Sequence, residues 1–114
     1  MQRARRIASA ADFAIVRQQG RAYRDAGLVL LVRANGGDCT RFGFVTSKRL
    51  GGAVVRNRLR RLMREAARNS AAEMEPGFDV VAIATKAAVG LGYQEIRESF
   101  RSLSRKAGLM VDAS

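Results

Sequence analysis

The 114-residue chain has no histidine, no tryptophan, one cysteine and one proline. Without histidine it lacks the side chain that most often moves protons near neutral pH and most often binds metals. Ser–His and Cys–His nucleophilic pairs are therefore excluded. The single Cys39 forms no disulfide within the chain and offers no zinc set. Acids are scarce as well, ten in all and scattered. None pair at a spacing that would hold a catalytic metal. No apolar run has the length of a membrane span or a signal-peptide core, and none follows the short basic stretch Met1–Ile7. The expectation is one cytoplasmic domain, 1–114, with residues 1–8 as a flexible basic arm.

What the chain does have is positive charge. Twenty-one Lys and Arg against ten acids give a net charge of +11. With 47% hydrophobic and 27% charged residues, it has the composition of a folded domain rather than of a disordered tail. Solubility is served better by acids than by bases. Such an excess points instead to a polyphosphate partner, with RNA foremost. Lys48, Lys86 and Lys106 are the only lysines. Arginine's planar fork grips phosphate and stacks on bases, although a GC-rich genome would produce the same bias.

Local patterns order the rest. Ser9 and Asp12 have capping-box form and open a helix through about Gln19, with Gly20 as its stop. Arg21 to Gly27 reads as a polar loop. Leu28–Arg33 is an apolar, β-branched strand ending in the turn signal Asn35-Gly36-Gly37-Asp38, and Arg41–Thr46 reads as its antiparallel return. A long helix starts near Ala53 and runs to about Asn69. Asp79–Thr85 is apolar enough for a central strand. Tyr93, Ile96, Phe100, Leu103 and Ala107 recur at helical spacing up to the stop at Gly108. Helices and strands in this order, with room for one further short strand, predict an α+β fold: a two-layer sandwich of a sheet with helices packed on it.

The long helix carries the function. Val55, Leu59, Leu62, Met63 and Ala66 share one apolar sector. Arg56, Arg60, Arg64 and Arg68 form an i, i+4 row beside it, with Asn57, Arg58 and Arg61 further round. Each such like-charge pair costs a few tenths of a kcal/mol. Glu65 is the only acid in the helix to offset six arginines, so the counter-charge must come from outside. A solvated face would usually mix signs, and this one hardly does. Arg97, Arg101 and Arg105 form a second row, open between a solvated face and an auxiliary RNA contact.

Gly51-x-Ala53-Val54-x-Arg56-Asn57-Arg58-x-Arg60-Arg61-x-x-Arg64-Glu65 resembles the signature of the bacterial ribonuclease P protein family, whose Arg-Asn-Arg core is its best-known motif. The resemblance extends to Asp12-Phe13 with Gly20, to Arg41–Val45, to Ser47-Lys48-Arg49 and to Asp79–Ala84. It implies a mixed sheet in a fold shared with ribosomal proteins, with a left-handed crossover. It also implies a partnership with a catalytic RNA that removes the 5′ leader of precursor tRNA. In that enzyme Mg2+ bound mainly by the RNA supplies the chemistry, and the polypeptide alone is not catalytic. Carried over by position, Lys48, Arg49, Arg56, Asn57, Arg58, Arg60, Arg61, Arg64 and Arg68 would contact RNA. Phe13, Arg17 and Leu31 would line a cleft for the leader. Arg17 stands where many members carry a second aromatic, and Leu31 where some carry tyrosine. Part of a stacking platform is thus exchanged for cationic contact. Phe13 could equally be core. No membrane contact or obligatory protein partner is implied. Two rivals remain: a ribosomal or RNA-chaperone module with no processing role, and a protein-only nuclease.

Overall fold

The computed structural model describes residues 5–7 and 9–111. Three helices and four strands follow in the order α1 (Ala10–Gln19), β1 (Arg21–Arg24), β2 (Leu28–Ala34), β3 (Arg41–Val45), α2 (Ala53–Ser70), β4 (Phe78–Ala84) and α3 (Tyr93–Lys106). Short 3-10 turns lead into α2 and α3. The strands form one mixed sheet in the spatial order β1-β2-β4-β3.

Two expectations about the strands are corrected. β2 and β3 are not a hairpin: β4 lies between them, antiparallel to β2 and parallel to β3. The cause is the composition of β4. Val80, Val81 and Ala82 are buried on both faces, which only a central strand allows. The segment from Arg21 to Gly27 is not all loop either. Arg21–Arg24 pairs antiparallel with β2 as the sheet edge. Only Tyr23 turns towards the core, so the strand carries almost no hydrophobic alternation to reveal it.

Alternation along the strands splits the apolar residues between two cores. Leu28, Leu30 and Val32 of β2, Phe42 of β3, and Val80, Ala82 and Ala84 of β4 face α2 and α3. Leu59, Met63, Ala66 and Ala67 of α2 and Ile96, Phe100 and Leu103 of α3 close that core. The opposite face is covered only in part, by α1. A small cluster of Ile7, Val16 and Val81 anchors it, with Phe13, Leu31, Val45 and Ile83 half-buried around them. Ile7 was expected in a flexible arm, but it is buried and its amide donates to the Phe42 carbonyl at 2.9 Å. Arg6 forms an isolated parallel bridge with Phe42, while residues 1–4 and 8 of that arm lie outside the described residues.

Candidate RNA interface

Leu50 is buried and pins the turn that presents Lys48 and Arg49 to solvent. Gly51 then adopts a φ of 140°, where a side chain would be strained and would also crowd Val55. From there α2 sends Leu59, Met63 and Ala66 into the core with Val55 and Leu62 at its margin.

The nine cationic and amide residues expected to bind RNA lie together on α2 and the turn before it, but they are not equivalent. Asn57, Arg61, Arg64 and Arg68 are exposed. Arg56, Arg58 and Arg60 are half-buried and partly committed to the fold. Arg58 donates to the Leu91 carbonyl at 2.9 Å, tying α2 to the turn that precedes α3. Arg60 donates to Thr46 Oγ1 at 2.9 Å and to the Asn57 side-chain carbonyl. The Nε of Arg56 is buried without a hydrogen-bond partner. Among the described residues, Arg68 is the only α2 arginine paired with a carboxylate. Its partner Glu65 raises the Arg68 pKa, and Arg68 in turn holds Glu65 below the usual carboxylate range. The helix therefore reaches solvent with most of its charge uncompensated.

The sheet face under α1 forms the second surface. Register places Arg24, Val29, Ile83 and Val45 in one row across the strands and Ala22, Leu31, Val81 and Gly43 in the next. Phe13 lies against Gly43 so closely that a Cβ there would come within 2.6 Å of the ring. Arg17 follows Phe13 by one helical turn and is exposed. Phe13, Leu31, Val45 and Ile83 are half-buried on this face, with Val29 in the same strand row as Ile83. With Arg17 exposed one turn along α1, this leaves an open trough beside the helix. Thr46, which follows Val45 just past β3, accepts from Arg60 of α2.

A third row was not foreseen. Asp79 is 1% exposed and lies between Arg33 and Arg41 in the register. Arg41 grips it with two hydrogen bonds of 2.9 and 2.8 Å, and the Asn35 amide donates at 2.9 Å. Arg33 stands 4.0 Å away. Burial alone would raise the Asp79 pKa, but the Arg41 and Asn35 hydrogen bonds and the two positive charges outweigh it and hold the carboxyl below its usual range. The signal was present: an acid at the head of an otherwise apolar central strand needs a buried partner. On α3, Arg101 is also engaged, by Glu73 and by Ser70 Oγ at 3.3 Å.

Comparison with known proteins agrees with this fold. The model of the Ribonuclease P family matches residues 1–108. The ribonuclease P protein component of Clostridium kluyveri is 42% identical over 106 residues, covering 91% of this chain and 95% of its own. That of Roseiflexus castenholzii is 39% identical over 115 residues, covering 99% and 93%. Among solved structures, the RNase P protein of Staphylococcus aureus superposes with a TM-score of 0.87 at 28% identity, over 95% of this chain and 99% of that one. The Thermotoga maritima protein does so with 0.80 at 30% identity, over 88% and 96%.

Proposed function

The chain belongs to the ribonuclease P protein family, and from that premise we propose that it is the protein subunit of a bacterial ribonuclease P, which removes the 5′ leader from precursor tRNA. It works with a catalytic RNA through the outer face of α2, where Lys48, Arg49, Asn57, Arg61 and Arg64 meet phosphates and riboses. Arg56, Arg58, Arg60 and Arg68 contribute from its flanks. The observation that carries this reading is the run of outward guanidiniums on α2, to which the described residues supply one carboxylate. Phosphates binding there release condensed counterions, so affinity falls steeply with salt.

The trough of Phe13, Arg17 and Leu31 receives the single-stranded leader. Phe13 offers a stacking edge and Arg17 a phosphate contact. The leader then runs from the catalytic RNA on α2 across Thr46 to the sheet, which favours precursor over mature tRNA.

The polypeptide contributes charge and position rather than bond cleavage. Among the described residues no three His, Cys, Asp or Glu side chains converge as a metal site. As the family resemblance implies, we assign Mg2+ mainly to the RNA, where it would activate the attacking water and steady the leaving oxygen. No helix among the described residues is long and apolar enough to cross a membrane. The proposed work on precursor tRNA places it in the cytoplasm.

Reconstitution tests the reading. The chain mixed with a bacterial ribonuclease P RNA is expected to cleave precursor tRNA at magnesium concentrations where the RNA alone is slow. Cleavage by the polypeptide without RNA would instead mark a protein nuclease. Co-purification with ribosomal RNA alone would mark a ribosomal or chaperone module.

A further inference from the structure

We propose that Asp79 is a positioning residue for the leader, acting through Arg33 and Arg41 to hold α1 at a fixed height above the sheet. The inference rests on the leader reading of the α1 trough.

α1 has little else to hold it. Val16 is its only fully buried residue, and the core beneath it is Ile7, Val16 and Val81 with a half-buried margin. So small a core sets distance poorly, because few close contacts resist a tilt. Polar contacts reach both ends of the helix. Arg41, already fixed by Asp79, extends its other terminal nitrogen to Asp12 in the first turn of α1 at 3.4 Å. Arg33, on the other side of Asp79, donates from Nε to the Gln19 side-chain carbonyl at the last residue of α1, at 3.0 Å. One buried carboxylate thus organises two guanidiniums, and each holds one end of the same helix.

The clasp lies beside the trough, not within it. Arg33, Asp79 and Arg41 occupy one row of the sheet; Leu31, Val81 and Gly43 occupy the next, and Phe13 lies over Gly43. The height and tilt of α1 over the clasp therefore set the gap between Phe13 and the floor of Leu31, Val45 and Ile83. A planar base or a ribose needs that gap within about half an ångström to gain full contact. Freely rotating guanidiniums would serve less well. The bidentate grip of Asp79 fixes the Arg41 plane, which lowers the entropic cost of its contact with Asp12.

The test uses the reconstituted holoenzyme, with the affinity for precursor tRNA over leaderless mature tRNA as the readout. The double change Asp12→Ala with Gln19→Ala removes both α1 contacts at side chains that are exposed or nearly so. Alanine favours the helix, so the fold is retained. The expected result is a loss of about tenfold in the precursor-to-mature ratio, as charge-assisted contacts of this kind warrant. Affinity for the catalytic RNA and the cleavage rate at saturating precursor stay the same. Asp12→Glu in the Gln19→Ala background, which keeps a carboxylate for Arg41, recovers most of the loss. Asp79→Asn is expected to lower the same ratio. An unchanged ratio in the double variant, alongside a fall in Phe13→Ala, overturns the clasp and leaves the leader trough standing. An unchanged ratio in Phe13→Ala as well overturns both.

Discussion

At the scale of the residue, two positions on the α1 face yield sharp expectations. Gly43→Ala puts a methyl group only 2.6 Å from the Phe13 ring. The ring must swing away, so the variant is expected to lose about 1–3 kcal/mol of stability. In denaturant titration this shows as a lower midpoint with an unchanged slope. An unchanged midpoint would mean that Phe13 does not rest on that strand. Asp79 gives a pH signature. Its folded pKa is lowered, so its contribution is complete above the unfolded carboxylate value of about 4 and fades as pH falls through the folded value. Removing the charge by Asp79→Asn leaves the Arg41 guanidinium without its buried partner and costs about 2–4 kcal/mol near neutrality. The gap between the two proteins should then narrow as pH is lowered from about 5 towards 2, because the protonated acid comes to resemble the amide. Parallel melting curves over that range would show that Asp79 carries no such charge coupling.

At the scale of the element, the arginines of α2 divide into two kinds that a helical wheel does not separate. Arg61 and Arg64 are exposed, whereas Arg58 is bonded to the Leu91 carbonyl. Arg61→Ala and Arg64→Ala should each reduce the slope of log affinity for the catalytic RNA against log salt by about 0.7–0.9, with melting temperature unchanged. Arg58→Ala should lower the melting temperature as well, since it leaves the Leu91 carbonyl short of a donor. Equal melting temperatures for all three variants would remove that distinction. The same contrast shows what could be read from the sequence. Periodicity alone located α2 and α3, because each has a broad apolar face against one core; Ser9 and Gly20 bounded α1 because capping is local chemistry. Strand pairing was not legible. The Asn35-Gly36-Gly37-Asp38 turn does reverse the chain, but β4 enters between β2 and β3, and only the two-sided burial of Val80 to Ala82 hinted at it. β1 left no apolar trace. The Leu91 partner of Arg58, the Thr46 partner of Arg60, and the row Arg33, Asp79 and Arg41 arise from contacts distant in the chain that no local window contains.

At the scale of the whole molecule, the net charge of +11 sets fold and function against each other. The described residues place Arg33, Arg41, Arg68 and Arg101 against acids, while the exposed cations of α2 and its leading turn, such as Lys48, Arg49, Arg61 and Arg64, meet none. In the isolated protein that surplus repels itself and destabilises the compact state. Salt shortens the range of the repulsion, to about 8 Å near physiological ionic strength, so added salt should stabilise the free protein. In the complex the phosphates relieve the same repulsion, and salt competes with them for those cations, so it should weaken binding. One titration from about 0.02 to 0.3 M salt should therefore raise the melting temperature of the isolated chain while lowering its affinity for the catalytic RNA. Replacing Arg61 and Arg64 together by alanine should flatten both curves, because the same two charges drive them. A protein whose melting temperature fell with salt would owe its fold to ion pairs, and the α2 surface would then be no unpaired reserve of charge for RNA.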